Sequence, residues 1–204
     1  SMGEIAGIYQ ASPELYLDLA LLTSGFSGDK ISFSDGNMLI LDKSGQRVVS
    51  VDTSTKKTEI AAGPDVLKNA TEVAAYTDKD YVVDDSGISE LGDSPRVVVA
   101  KDWEGEIKLT AYTGNLYILD KTTSVVYRYQ GSGGVFAAKE IWFGEGVSPD
   151  LSGALSMAID GSVWVSEDGG RILKFTNGKQ DPLNIKGVDS RLGGVASLFD
   201  GEDG

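Results

Sequence analysis

Short runs of alternating apolar and polar residues, separated by turn residues, cover most of the chain. The stretch 31–52, ISFSDGNMLILDKSGQRVVSVD, contains three such runs, with turns at 35–36 and 43–45. The same phrase recurs at 109–129 as LTAYTGNLYILDKTTSVVYRY and at 156–175 as SMAIDGSVWVSEDGGRILKF. Alternation with a period of two predicts β-strands, and Asp and Gly are typical of the turns between them. The pattern therefore predicts an all-β protein built from repeated units.

Each unit extends to four predicted strands, labelled A to D in chain order. They cover 31–34, 38–41, 47–51 and 57–62 in unit one; 72–76, 80–84, 87–91 and 96–100 in unit two; 107–112, 115–119, 125–129 and 136–143 in unit three; and 154–159, 162–166, 171–175 and 182–186 in unit four. The A–B turns recur at intervals of 43, 35, 47 and 40 residues. Periods of about 40–50 residues are typical of four-stranded propeller blades, which bury their faces only by packing on neighbours. We therefore predict a β-propeller with antiparallel blades at about 28–64, 70–101, 105–146 and 150–189.

The two ends of the chain predict a fifth, incomplete blade. A strand A is predicted at 194–199, and 5–9 is a candidate strand C. Leucines alternating over 14–22 favour a strand D there, although Ser12 and Pro13 also resemble a helix start. Strand B of this blade is then missing. The alternative is that the chain is a piece of a larger propeller.

The closing blade is thus predicted to combine 190–204 with 5–23, within one propeller domain over 4–204. Residues 1–3 resemble a remnant of tag removal. An incomplete blade leaves open strand edges, and open edges can pair between chains. The pattern therefore also predicts a homodimer or a swapped assembly.

Three segments share a motif in strand B and the start of strand C: GNMLILDKSGQRVVSVD, GNLYILDKTTSVVYRYQG and GSVWVSEDGGRILKFTNG. They resemble blades of NHL-type and related bacterial β-propellers, in which Gly-Asn opens strand B and Asp ends it. Unit two departs most, since Lys79 and Asp80 stand in place of Gly-Asn. The resemblance covers about 28–189. It implies the fold rather than one function, because such propellers serve as sensors, scaffolds and enzymes.

Charge and composition exclude several function classes. A formal charge of −13 disfavours nucleic acid and anionic membrane surfaces as partners. The chain has no Cys, which excludes disulfides and thiolate chemistry, and no His, which removes the commonest general base and zinc ligand. No apolar run reaches the length of about 18 residues that membrane insertion needs. The lack of Cys fits the cytosol and bacterial surface proteins alike, and we favour an extracellular or cell-surface domain.

Acidic residues end strand B in every unit, and in two units a lysine follows. The candidate binding residues are Asp42, Lys43, Asp84, Asp85, Asp120, Lys121, Glu167 and Asp168. The B–C and D–A loops of a propeller share one face, so these residues would ring its mouth. One interpretation is a site for a cation or a basic ligand. The other is turn chemistry, in which Asp side chains accept hydrogen bonds from nearby backbone N–H groups.

We expect a non-catalytic binding or scaffold domain, such as the sensor ectodomain of a larger bacterial protein. Its partner would be a protein, a peptide or a glycan bound through loops on one face, with no cofactor and no metal. The alternative is a propeller hydrolase of the gluconolactonase-like class. Resemblance to that class would imply one divalent metal in the central mouth, held by Glu, Asn and Asp. The predicted inner strands mostly carry Ser, Ala, Leu and Tyr, which weighs against this enzyme.

Overall fold

A computed structural model describes residues 14–183, together with Ser12 and Leu198. Over these residues the fold is a β-propeller with four blades, each a four-stranded antiparallel sheet. The predicted fold class is therefore confirmed. No helix in this range is long and apolar enough to cross a membrane.

The strands follow one another outward from the centre in each blade. Blade one contains β1 (Lys30–Ser34), β2 (Asn37–Asp42), β3 (Arg47–Asp52) and β4 (Thr58–Ala62). Blade two contains β5 (Glu72–Tyr76), β6 (Lys79–Asp84), β7 (Gly87–Glu90) and β8 (Arg96–Ala100). Blade three contains β9 (Ile107–Tyr112), β10 (Asn115–Asp120), β11 (Val125–Tyr129) and β14 (Glu140–Ile141), with a hairpin of β12 (Gly131–Ser132) and β13 (Val135–Phe136) between the last two. Blade four contains β15 (Ala154–Ile159), β16 (Ser162–Glu167), β17 (Arg171–Thr176) and β18 (Lys179–Asp181).

The A–B turns explain why the repeat is visible in the sequence. In blade one, Ser34 pairs with Asn37 across a two-residue loop, and Asp35 and Gly36 both have positive φ, at 47° and 77°. Two successive positive φ values define the hairpin turn that matches strand twist, and Asp-Gly is a preferred pair for it. The turn chemistry is local, so the sequence alone reveals it.

Apolar cores lie between adjacent blades, as the period of two predicts. In β10, Leu116 and Ile118 point into the core shared with blade two, whereas Tyr117 and Leu119 point into the core shared with blade four. A third core joins blades one and two. Successive residues of a strand face opposite sides of the sheet, so each blade buries both of its faces only between two neighbours.

The face of blade one that points away from blade two carries a row of apolar residues that crosses all four strands. Ile31, Ile40, Val49 and Ile60 are paired across β1 to β4 and therefore share one face. Ile31 is 45% and Ile60 51% exposed, whereas Val49 is fully buried. In blades two to four, the same side of the sheet packs on the preceding blade. A closing blade on this side stays a prediction, as does the dimer or swapped assembly.

The strand predicted over 14–22 is wrong. Residues 14–18 form no regular element, and Leu19–Leu21 is a 3₁₀ helix whose first turn is capped by Asp18. Leu15 and Leu21 are 85% and 86% exposed, so the alternation of leucines does not mark a buried face. The Tyr16 hydroxyl instead donates to the Thr53 carbonyl, 2.5 Å away, at one end of blade one.

The predicted outer strands of units three and four are also corrected. In blade three, Gly133 and Gly134 have positive φ and close the β12–β13 hairpin, which takes Phe136 away from the predicted strand over 136–143. Only β14 is left to pair with β11. In blade four, a turn at Asn177 and Gly178 starts β18 at Lys179, and this strand ends before the one predicted over 182–186, of which 184–186 lie outside the described residues.

The remaining predictions for the chain ends fall on 5–9 and 194–199, which lie outside the described residues except for Leu198. The backbone N–H of Leu198 donates to Ser156 Oγ on β15, 2.9 Å away. Similar bonds join neighbouring inner strands elsewhere: Ala75 N–H donates to Ser32 Oγ at 2.9 Å. This contact supports the proposal that 190–204 contributes to a closing blade with 5–23, although the strand D assigned to 14–22 does not form.

Candidate functional site

The B–C turn of blade one uses its aspartate as an internal cap. Asp42 is fully buried, and its Oδ1 accepts hydrogen bonds from the Gly45 backbone N–H (2.7 Å) and from Ser44 Oγ (2.9 Å). Arg47 Nη2 lies 3.1 Å from the other carboxylate oxygen. Burial disfavours the charged form, but the bonds from Gly45 and Ser44 and the charge of Arg47 outweigh it and lower the pKa of Asp42.

Blades two and three repeat this cap. Asp84 is buried and accepts from the Ser86 backbone N–H at 2.8 Å. Asp120 is buried and accepts from the backbone N–H groups of Thr122 and Thr123, at 2.9 and 3.2 Å. In these three blades the carboxylates thus accept hydrogen bonds from their own turns, as the second interpretation of the sequence predicts.

Changing Asp42 to Ala should lower the free energy of unfolding by about 1–3 kcal/mol, because the Gly45 N–H loses its buried acceptor. Asp42→Asn, which keeps an acceptor oxygen, should cost less. Because the pKa of Asp42 is lowered on folding, its charge stabilises the protein above the unfolded value of about 3.9, and this contribution is lost as pH falls through the folded pKa. Urea unfolding at pH 7 and near pH 2 measures both effects. Equal losses for Asp42→Asn at the two pH values would contradict the assignment.

Blade four breaks the pattern. Glu167, at the same position, is 2% exposed and makes no side-chain cap bond. Neither of its carboxylate oxygens has a hydrogen-bond partner among the described residues, although Arg171 Nε forms an ion pair with Oε2. The loop is a 3₁₀ turn over Asp168–Gly170, with Gly169 at φ 74°, and it differs from the other three B–C loops.

Six of the eight predicted binding residues fall into two groups on the loop face, whereas Asp42 and Asp120 are buried in their turns. Lys43, Asp84 and Asp85 line a depression of about 180 Å³, together with Lys101 and the buried Trp103. Lys121 is linked to this depression through Glu106, which lines it; Lys121 Nζ and Glu106 Oε2 are 3.2 Å apart. Glu167 and Asp168 line a second depression of about 300 Å³ in blade four.

A third feature, which the sequence analysis missed, lies at the centre. The four inner strands, together with Leu198, line a central cavity of about 230 Å³. At its wall, Glu72 Oε1 lies 3.0 Å from Lys30 Nζ and 3.2 Å from Lys108 Nζ, so one carboxylate oxygen joins three blades. Glu106 Oε1 lies 2.6 Å from Lys108 Nζ and supports it from the loop side. The available signal was that Lys30, Glu72 and Lys108 each pair with the residue just before the strand B carboxylate.

Burial and charge act differently on the two lysines. Burial lowers the pKa of Lys30, although the charge of Glu72 opposes this. Burial also disfavours the charge of Lys108, but Glu72 and Glu106 together outweigh it and raise its pKa. The hydrogen bond from Lys108 is the main reason that the pKa of Glu106 is lowered to about 2.

The central cavity does not suit the divalent metal that a gluconolactonase-like enzyme would hold. Its buried carboxylate, Glu72, is already neutralised by the ammonium groups of Lys30 and Lys108, which would repel a metal ion. Within the described part of the chain, no group of three or more Asp or Glu side chains is arranged to hold a metal.

Fold and site together define the chain as a β-propeller domain with a polar loop face. No protein-family model and no curated protein matches it. Among solved structures, it is similar to a chain of a nidogen/laminin complex, with a TM-score of 0.59 and 12% identity over 76% of this chain and 63% of that one. It is also similar to a structural-genomics protein of unknown function from Bacteroides thetaiotaomicron, with a TM-score of 0.54 and 15% identity over 74% and 45%. The chain spans less than two thirds of either neighbour, and at these identities the likeness concerns the fold alone.

Proposed function

We propose that this chain is a non-catalytic binding domain whose blades hold the B–C and D–A loops in place for recognition of a protein or peptide. The observation that carries the proposal is how the carboxylates of this face are used. Asp42, Asp84 and Asp120 accept hydrogen bonds within their own turns, and Glu72 is ion-paired with two lysines. No acid and base pair is left free among them for proton transfer, which argues for binding rather than chemistry.

The remaining side chains of the face suit a polar interface. Asp85 and Asp168 are exposed, and Lys43 and Lys121 are partly exposed. They stand on tight turns between paired strands, so little backbone conformational entropy is lost when a partner contacts them. Mixed charges around shallow depressions are typical of the rim of a protein interface.

Two further observations support this class of partner. One structural neighbour comes from a protein–protein complex of nidogen and laminin. The net charge of −13 favours association with a basic partner over an acidic one. This proposal includes membership of the NHL-type family, an extracellular or cell-surface location and a sensor role in a larger bacterial protein. The test of the proposal also distinguishes a glycan partner from a protein or peptide.

Charge reversal on the loop face tests the proposal. The variant Lys43→Glu, Asp85→Lys, Lys121→Glu should lose at least tenfold in affinity for the partner, measured with a partner identified by cross-linking to the wild-type domain. The control Lys56→Glu, Lys57→Glu, Asp78→Lys makes the same charge change on exposed residues of the opposite face and should bind normally. Equal binding by both variants, or loss only in the control, would exclude the loop face as the binding surface. If glycosidase treatment of the complex releases the partner, the domain recognises a glycan instead.

A further inference from the structure

The depression of about 180 Å³ on the loop face is lined by four carboxylates, and each of them already has a partner within the protein. Glu72 and Glu106 are ion-paired with lysines. Asp84 accepts hydrogen bonds from its own turn, and Asp85 Oδ2 accepts one from Asn69 Nδ2 at 2.5 Å. The acidic side chains of the depression are therefore matched internally and do not call for a cation.

The cations of the same depression are not matched in this way. Lys43 and Lys101 line it, and neither ammonium group forms an ion pair with a carboxylate of the described residues. Lys121, by contrast, is paired with Glu106. The depression thus presents two positive groups that no described carboxylate neutralises.

The wall of the depression adds a third donor. Trp103 lines it, is 7% exposed and packs in the apolar core between blades two and three. Its indole N–H donates to no acceptor among the described residues, yet this N–H is open to solvent. Because buried indole groups usually find an acceptor, the N–H of Trp103 is available to one that a ligand brings.

We propose that this depression binds the carboxylate of an acidic side chain from the partner protein or peptide, held by Lys43, Lys101 and the indole N–H of Trp103. This inference rests on the proposed function and deepens it by naming the chemistry that one part of the loop face recognises. The spare groups of the depression are all donors, and an ionised carboxylate is an acceptor whose two oxygens can take bonds from several of them.

The charges of the depression and of the whole chain limit which anion fits. A dianion such as phosphate fits less well than a carboxylate, because four carboxylates line the same depression and repel the second charge. The overall charge of −13 favours a partner that is basic as a whole. The bound carboxylate is therefore a local contact within that interface.

The test is a nuclear magnetic resonance titration of the ¹⁵N-labelled domain at low salt with N-acetylglutamate α-amide, whose only charge is the side-chain carboxylate. We expect saturable shifts of the Trp103 indole signal and of the Lys101 backbone amide. N-acetylglutamine amide, which is neutral and has the same shape, should bind at least fivefold more weakly. Added salt should weaken binding of the glutamate probe, since it screens the charges.

Matched variants assign the effect to the three donors. Lys43→Gln combined with Lys101→Gln should weaken binding of the glutamate probe at least fivefold. Lys57→Gln combined with Lys179→Gln removes the same charge from exposed residues outside the depression and should have no effect. Trp103→Phe keeps an aromatic ring but removes the N–H, and it should weaken binding at least twofold. If this variant lowers the melting temperature strongly, the lysine variants decide.

Four results would overturn the inference: no saturable shift of the Trp103 indole signal, equal binding of the glutamine probe, unchanged binding by the Lys43 and Lys101 variant, or tighter binding of inorganic phosphate or of the chain-end carboxylate of N-acetylglycine. The titration needs no partner protein. It can therefore fail while the loop-face charge reversal still abolishes partner binding, and the two proposals are separately decided.

Discussion

Replacing Glu72 by alanine is expected to lower the free energy of unfolding by about 3–5 kcal/mol. The carboxylate lies between Lys30 and Lys108, with Oε1 within 3.2 Å of both ammonium groups. The Lys108 side chain is only 6% exposed, so its charge cannot recover its hydration when Glu72 is removed, and Glu106, whose side chain is 58% exposed, is its one remaining partner among the described residues. Two like charges would then face each other at the wall of the central cavity. Urea unfolding at neutral pH measures the loss.

Two controls separate burial from the mere presence of an ion pair. Lys57 and Glu59 form a pair in which both side chains are mostly exposed, at 74% and 63%, and Lys57→Ala should change stability by less than about 1 kcal/mol. A variant with Lys30→Met, Glu72→Leu and Lys108→Met replaces these three side chains by apolar ones, leaves the Glu106–Lys121 pair in place, and should stay close to wild type. If Glu72→Ala costs no more than Lys57→Ala, the network does not hold the inner strands together.

Replacing Gly87 by alanine should cost about 2–6 kcal/mol, from backbone strain and from a clash. Gly87 opens β7 at a φ of 132°, a region that only glycine adopts readily, and a side chain there costs about 1–3 kcal/mol. A Cβ at this position would lie 2.1 Å from the Val99 carbonyl oxygen and 2.6 Å from the Lys101 nitrogen. Both are backbone atoms next to Ala100, the pairing partner of Gly87 on β8, so relief requires movement of the sheet edge, at about 1–3 kcal/mol more.

Gly92 is a matched control for this change. Its φ is 138°, but a Cβ added there would meet nothing within 4 Å. Gly92→Ala should therefore show the strain alone, about 1–3 kcal/mol. The difference between the two variants, read from denaturant midpoints at constant slope, measures the clash. Identical losses would show that the edge of blade two adjusts freely.

The parts of the fold that the sequence predicted well depend on short-range signals. Hairpin turns such as Asp35–Gly36 and the alternation within β10 are decided by neighbouring residues, and both appear in the structure where they were expected. The outer strands were predicted less well. No described strand pairs with 14–22, and the Gly133–Gly134 turn closes a hairpin of its own before the outer strand of blade three can form. Outer strands have one neighbour instead of two, so local turns compete with them more easily.

The sequence by itself determined that this protein is a repeated all-β chain, without Cys or His, whose B–C turns carry carboxylates. Only the tertiary structure decided what each carboxylate does. Asp42 and Glu167 occupy the same position in the repeat, yet the first accepts bonds from its own turn, whereas the second caps no turn and is ion-paired with Arg171. Lys30, Glu72 and Lys108 meet because three inner strands converge on one axis, and no local pattern records that distance. Turn and strand preferences act over a few residues, whereas charge pairing depends on where distant segments are brought together.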